Sequence, residues 1–364
     1  MKQILNLKKN EVCGLDIGTS AVKMVVMHKD EAGYKVTSAG ISQIADHSSN
    51  VQEPGKGTGG VDINITRAIR DCFTSTKLSA LNRPRVKMAV CGVCGPEIAV
   101  RDFEFPQLPA EEIGSAVSLE AGLVCPFNPE QAVVDYQLIP DSDNKTRGVL
   151  VAATNTLIKG KKQIAQKAGL KCVLMDVDGL ALLNCFNNLT GEHEKSTTAI
   201  LNVGSSYTTL AIMSDEGWPF IRDTACAGSH IVTRIAEAGK IPSERVLDNL
   251  FGDSPSGESI SGESLEKACE ELIADVVETL RFYAASEKSR PVEKIFVCGG
   301  FAPAKGFIEL LSRRLGINAC LWNPFDSELC HTSGQYEDFF RKTGPAMAVA
   351  AGLAMRNIER VREN

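Results

Sequence analysis

Long apolar runs are missing from this chain. None approaches the roughly 20 consecutive residues that a helix needs to cross a bilayer, so no membrane-spanning segment is expected. The opening MKQILNLKKN has a short apolar stretch but neither the core nor the cleavage site of a signal peptide. At the far end, RNIERVREN is too polar for an amphipathic membrane tail. Positive charge is in deficit: 39 Lys and Arg stand against 45 Asp and Glu, a net charge of −6, with a pI near 5.6. That balance argues against a nucleic-acid surface. Histidine is scarce, and His28, His47, His193, His230 and His331 are scattered without the spacing of metal ligands. Together these absences point to a cytoplasmic protein.

The 12 cysteines mostly sit singly within apolar segments, as Cys72, Cys172, Cys185 and Cys269 do, where a thiol acts as a small hydrophobe. In a reducing compartment they stay unpaired. Cys91-Gly-Val-Cys94 has redox spacing, yet thioredoxin-like pairs open a helix and this one leads through glycine to Pro96, a strand-to-turn setting. It reads as structural. Glu111, Glu112 and Glu120 read as helix-face carboxylates rather than an acid–base pair, with Glu120 lying among apolar neighbours.

What is present is a repeat. Leu15-Asp-Ile-Gly-Thr-Ser-Ala-Val-Lys-Met-Val-Val-Met27 aligns without a gap on Leu201-Asn-Val-Gly-Ser-Ser-Tyr-Thr-Thr-Leu-Ala-Ile-Met213, with eight of thirteen positions identical or close substitutes. Each copy opens a unit of three expected strands: Val12–Ile17, Val22–His28 and Tyr34–Ile44, then Thr198–Val203, Thr208–Met213 and Pro219–Thr224. A charged Gly turn follows the second strand in both, Asp30 to Gly33 and Asp215 to Gly217. Internal duplication explains this, and 364 residues suffice for two domains or more.

Between the copies, the spacing predicts a mobile loop over 47–62, a helix over 63–79, and then β, β, α, β, β, α over 84–168, which suggests a compact inserted subdomain. A strand Cys172–Val177 and a helix from Asp178 lead into the second copy. After it come helices Gly228–Ala238 and Ser243–Leu250, a loose loop over 253–264 and a long amphipathic helix, Leu265–Tyr283. Lys294–Cys298 then enters Gly299-Gly300-Phe301 ahead of the helix Phe307–Leu315, and a small-residue helix, Met347–Ile358, closes the chain.

A phosphate chain needs converging backbone N–H groups and small hydroxyls, which Gly, Ser and Thr turns supply. Gly18 and Gly204 permit close approach, Thr19, Ser20, Ser205, Ser206 and Thr208 donate, and Lys23 reaches along its strand. Asp16 suits the orientation of Mg²⁺-bound water. The turn after Cys298 has the form of a nucleotide-binding strand-to-helix turn.

LDIGTSAVKMV, LNVGSSYTTLAI and VCGGFAPAKGFIELLSRRLGI resemble the phosphate-1, phosphate-2 and adenosine motifs of the actin/Hsp70/sugar-kinase superfamily. Within it the chain most resembles the PilM family of type IV pilus assembly proteins, which are FtsA-like. FEFPQLPAEEIGSAVSLEAGLVCPFNPEQAVVDYQLI carries the narrower likeness. The resemblance implies an α/β actin-like (ribonuclease H-like, duplicated βββαβα) two-lobed fold with an inserted FtsA-type subdomain. Its implied divisions are a first-lobe core over 1–83, a partner-binding insertion over 84–168 and a return to the core over 169–195. A second-lobe core over 196–238, a smaller subdomain over 239–290 and a closing segment over 291–364 complete it.

By the same resemblance, ATP with Mg²⁺ lies in the cleft, with Asp16, Gly18, Thr19, Ser20 and Lys23 on one side and Gly204, Ser205, Ser206 and Thr208 on the other. Gly299, Gly300 and Phe301 border the adenosine, Asp16 holds the metal through water, and Asp178 falls where relatives carry an acid near the attacking water, which makes Asp16 and Asp178 the implied catalytic pair. The implied role is a cytoplasmic scaffold at the inner face of the membrane that binds the N-terminal peptide of the membrane protein PilN, works with other pilus assembly proteins and is open to self-association. One departure matters: relatives carry Asp where this chain has Asn202, so hydrolysis should weaken more than binding. The alternatives are a small-molecule kinase of the superfamily, for which no acceptor motif is found, an FtsA-like division protein, whose membrane helix is missing, and a related secretion scaffold.

Overall fold

The computed structural model describes residues 11–45, 59–74, 88–139, 144–190, 197–213, 218–252, 260–285 and 290–356. The elements begin with β1 (Glu11–Ile17), β2 (Ala21–Asp30), β3 (Gly33–Gln43), α1 (Gly59–Thr74), β4 (Met88–Val93), β5 (Ile98–Pro106) and α2 (Ala110–Val124). They continue with β6 (Ala132–Ile139), β7 (Lys145–Thr154), α3 (Asn155–Lys167), β8 (Lys171–Val177), α4 (Asp178–Thr190), β9 (Thr197–Val203), β10 (Thr208–Met213) and β11 (Pro219–Thr224). The remainder are α5 (Gly228–Gly239), α6 (Ser243–Phe251), α7 (Gly262–Ala284), β12 (Val292–Cys298), α8 (Phe307–Leu315), β13 (Asn318–Leu321), β14 (Cys330–His331), α9 (Glu337–Thr343) and α10 (Ala348–Ala354). Two compact units result: Met1–Val93 with Gly160–Glu192 and Asn323–Asn364, and Cys94–Lys159 with His193–Trp322.

The first unit is built on a six-stranded sheet in the order β14-β3-β2-β1-β4-β8. β1, β2 and β3 form an antiparallel meander, while β4 runs parallel to both β1 and β8. Alternation along β1 sends Cys13, Leu15 and Ile17 into a core with Val22, Met24, Ile69 and Cys72. Gly14, on the other face, lets α10 come down on the strand: a Cβ there would lie 2.0 Å from the Ala350 carbonyl oxygen. Gly352 does the same against α4, where a Cβ would sit 2.0 Å from the Ala181 oxygen. The small-residue composition of α10 is therefore what admits a helix this close to sheet and neighbour.

Two expectations shift here. The loop predicted over 47–62 lies partly outside the described residues, and its last four positions belong to α1, which starts at Gly59. β4, read from sequence as the first strand of an insertion beginning at 84, is a central strand of this first sheet. Its burial on nearly every position is what a parallel strand covered on both faces requires. The turn at Asp215 to Gly217 lies outside the described residues, as do 75–87 and the end of the helix expected to reach Ile358.

The second unit holds a five-stranded sheet, β11-β10-β9-β12-β13, and a three-stranded one, β5-β7-β6. β9, β10 and β11 repeat the antiparallel meander of the first unit, and β12 joins β9 in parallel. Their core takes Leu201, Leu210 and Ile212 from the sheet, and Ile231, Leu272, Ile273, Val276 and Phe307 from α5, α7 and α8. α7 is the helix its spacing foretold, with Ser261 accepting the Ser264 N–H at 3.1 Å as its cap. The small sheet packs on α2 through Phe103, Ile113, Val117, Ala121 and Leu150. Glu111 and Glu112 sit in the first turn of α2, exposed, where they favour the positive helix end. Among the described residues no helix is long and apolar enough to cross a membrane.

Candidate functional site

The first hairpin turns tightly between β1 and β2. Gly18 N–H donates to the Ala21 carbonyl at 3.1 Å, which leaves the Thr19 and Ser20 side chains exposed at the tip. Asp16 and Lys23 are register partners across the strands, so their side chains emerge on one face, and the Lys23 ammonium donates to Asp16 Oδ2 at 2.9 Å. A Cβ on Gly18 would come within 2.9 Å of the Ala21 oxygen and 3.3 Å of Lys23 Nζ. Lys161, on α3, adds a second cation: its Nζ donates to the Ile17 carbonyl at 2.6 Å. No sequence signal singles it out from the other lysines of α3. Asp178 opens α4, buried, with Oδ1 so close over Gly92 that a Cβ there would stand 2.4 Å from it. Nearby in sequence, Asp176 pairs with Arg356 at 2.9 Å; burial raises its pKa and the guanidinium pulls it back in part.

The second hairpin repeats the turn. Gly204 N–H donates to the Tyr207 carbonyl at 3.0 Å, and a Cβ on Gly204 would lie 2.8 Å from that oxygen. Ser205 and Ser206 are half-exposed. The start of α5 fixes the turn from behind: Gly228 N–H donates to the Gly204 oxygen at 3.0 Å, and Ser229 N–H to the Ser205 oxygen at 2.9 Å. Thr208 departs from its expected role. Its hydroxyl is buried and donates to the Cys226 carbonyl at 2.7 Å, so the proton meant for a phosphate is already used in the fold.

Asn202, Thr209 and Asp223 stand in register across β9, β10 and β11. Where the first hairpin pairs Asp16 with Lys23, Thr209 Oγ1 here donates to Asp223 Oδ1 at 2.6 Å. Burial raises the Asp223 pKa, against the lowering effect of the Gly95 N–H and the Thr209 hydroxyl. Asn202 instead turns toward the strand-to-helix turn, accepting from Cys298 Sγ at 3.8 Å. In that turn Gly299 takes a φ of +97° beside the Val203 carbonyl, to which Phe301 N–H donates at 3.1 Å. Among the described residues nothing beyond its chain neighbours lies within 4 Å of where a Cβ on Gly300 would stand. Phe301 is buried with its ring edge-on to Phe307 at 5.1 Å and Phe251 at 5.9 Å, and its carbonyl accepts from the Ala304 N–H at 3.1 Å, so its place is in the packing of the turn.

Each hairpin thus offers a glycine turn and small hydroxyls, and the first adds a carboxylate and two ammonium groups. Among the described residues no cluster of three or more His, Cys, Asp or Glu could cage a metal. Mg²⁺ does not need one, since it keeps several waters and binds through one or two carboxylates plus phosphates. Asp16 fits that requirement. None of the 12 cysteines is in a disulfide, and burial pushes the Cys13 and Cys72 thiols up to about 12.

The sequence model of the family described as type IV pilus assembly protein PilM matches residues 14–358. Among solved structures, a PilM-PilN type IV pilus biogenesis complex is similar at 21% identity, covering 96% of this chain and 98% of that one, with a TM-score of 0.76. The ethanolamine utilization protein EutJ from Carboxydothermus hydrogenoformans is similar at 15% identity, covering 95% and 90%, TM-score 0.57. MreB5 of Spiroplasma citri bound to ADP is similar at 12% identity, covering 98% of each chain, TM-score 0.50. These neighbours share the actin-like ATPase fold with this chain. The chain belongs to the PilM family of type IV pilus assembly proteins.

Proposed function

We propose that this PilM-family chain is a nucleotide-holding scaffold that hydrolyses ATP slowly or not at all. In this reading the backbone N–H groups and hydroxyls of Thr19, Ser20, Ser205 and Ser206 hold phosphates, Gly18 and Gly204 shape the turns and permit close approach, and Lys23 is the cation. Gly300 gives the nucleoside its closest backbone approach. Mg²⁺, when bound, supplies the charge that neutralises the phosphates, and Asp16 orients its waters. Asp178 is held apart from solvent over Gly92 and is a weaker candidate for the attacking water.

The observation that carries the reading is the matched turn: two hairpins 186 residues apart close through the same glycine-to-carbonyl hydrogen bond, at 3.1 and 3.0 Å. Slow turnover is supported by Asn202, whose amide brings no negative charge and is packed against Gly299 and Cys298. The scaffold's partner is a PilN-like N-terminal peptide, through which the chain is recruited to the inner face of the membrane. The likeness to a structure solved as a PilM-PilN complex supports this.

The test is a pull-down of the full chain with N-terminal peptides of PilN-like membrane proteins, with and without Mg-ATP, alongside phosphate release. Capture of such a peptide with little phosphate released is expected. Failure to capture any, together with acceptor-dependent ATP consumption, would make it a small-molecule kinase instead.

A further inference from the structure

The duplicated hairpins differ in what stands beside them. In the second unit, Gly95 opens the segment that leads into β5 of the three-stranded sheet, and two separate contacts tie it to the second hairpin. Its N–H donates to Asp223 Oδ2 at 2.8 Å, while Asp223 Oδ1 accepts from Thr209 Oγ1 at 2.6 Å. Its Cα lies under the Tyr207 ring, where a Cβ would stand 3.2 Å from Cζ, and its φ of +106° suits glycine. Tyr207 is the residue whose carbonyl closes the Gly204 turn. The first hairpin has Ala21 and Lys23 at the places of Tyr207 and Thr209, and Lys23 turns to Asp16.

The root of the small sheet is itself tightly bound. Ile98 N–H donates to the Gly95 oxygen at 3.2 Å, Thr154 N–H to the Glu97 oxygen at 3.1 Å, and Thr154 Oγ1 to Glu97 Oε1 at 2.5 Å. A displacement of Gly95 is therefore carried into both β5 and β7 rather than absorbed in a slack loop.

We propose that Tyr207 and the Thr209–Asp223–Gly95 hydrogen bonds form a relay by which occupancy of the second hairpin orders the three-stranded sheet. This rests on the nucleotide reading above. A phosphate held at Gly204 to Ser206 fixes the turn, the turn fixes Tyr207, and Gly95 follows with the strands it anchors. Asp223 is a positioning residue in this scheme. It touches no phosphate, and its two oxygens serve one strand neighbour and one backbone N–H. Coupling of this kind is reciprocal, so loosening the root also loosens the turn.

Amide hydrogen exchange on the full chain tests the relay, with Mg-ATP binding measured separately by calorimetry and folding checked by thermal melts. With Mg-ATP bound, amides in 95–105 and 146–154 should exchange several-fold more slowly than without it. Asp223→Ala should keep Mg-ATP affinity within about threefold yet lose that protection, since a hydrogen bond to a charged acceptor is removed. Asp223→Asn can still accept from Gly95 and donate to Thr209, and should retain it. Without nucleotide, Asp223→Ala should speed exchange of the Gly204 amide, whose hydrogen bond to Tyr207 closes the turn, on the order of tenfold. Equal exchange in wild type with and without bound Mg-ATP, or protection surviving Asp223→Ala, would overturn the relay. Calorimetry showing no Mg-ATP bound would remove the nucleotide reading on its own evidence. In that case, unchanged exchange in Asp223→Ala without nucleotide would dispose of the coupling as well.

Discussion

Lys23 and Asp16 face each other across the first hairpin, 2.9 Å apart with side chains 16% and 11% exposed. At an effective dielectric of about 20 their gross attraction is about 6 kcal/mol, an upper bound before desolvation. Removing one partner of a buried pair typically destabilises by about 3–5 kcal/mol, because the other charge is stranded. The turn is open to water at Thr19 and Ser20, so Lys23→Met should fall below that range, at about 2 kcal/mol. Asp16→Asn should cost less, since a stranded ammonium can bend toward solvent. A double-mutant cycle by urea unfolding should return a coupling of about 2 kcal/mol. The nucleotide readout separates the roles. Lys23→Met should weaken ATP about thirtyfold, the loss of one charge-assisted bond of about 2 kcal/mol. Asp16→Asn should weaken Mg-ATP but tighten Mg-free ATP, because Lys23 is released and a negative charge is gone. A coupling below about 0.5 kcal/mol, or an Asp16→Asn variant that weakens both forms alike, would refute the pairing and the metal role.

Other expectations follow from single contacts. Asn202→Asp restores a carboxylate at the second hairpin and should raise Mg²⁺-dependent phosphate release without raising ATP affinity, read in a phosphate-release assay. Lys161→Met removes the ammonium on the Ile17 carbonyl and should lower both thermal stability, by about 1–2 kcal/mol, and ATP affinity. Gly352→Ala forces a Cβ to 2.0 Å from the Ala181 oxygen of α4, and urea unfolding should show a loss of about 3 kcal/mol or more. Asp176 has a pKa raised by burial from an ordinary value of 3.8. The folded protein therefore holds its proton more tightly than the unfolded chain, and this group's contribution to stability improves as pH falls through the raised value toward 3.8. Asp176→Asn should flatten that part of the stability–pH profile.

Much of this architecture could be read from residue order because its cause is local. The β1–β2 and β9–β10 hairpins are specified by apolar alternation around a glycine turn, and α7 by its three- and four-residue spacing, so both emerge near their expected bounds. β13 and β14 are four and two residues long, too short for any periodicity, and exist only through pairing with β12 and β3. β4 was visible as a strand, but its sheet was not: that depends on which neighbours cover its two faces. The site divides in the same way. Gly18, Gly204 and the tip hydroxyls are turn chemistry and legible. That Thr208 spends its proton on Cys226, that Lys161 reaches Ile17, and that Asp223 stands opposite Thr209 are consequences of tertiary pairing that no local pattern encodes.

The account turns on whether two matched glycine turns bind one class of ligand. Isothermal titration of the full chain with Mg-ATP, run beside Gly204→Val, tests it directly. Saturable binding to wild type that is lost in a folded Gly204→Val variant, with phosphate release near background, is the predicted result. No binding heat with wild type, or binding unaffected by Gly204→Val, would contradict it.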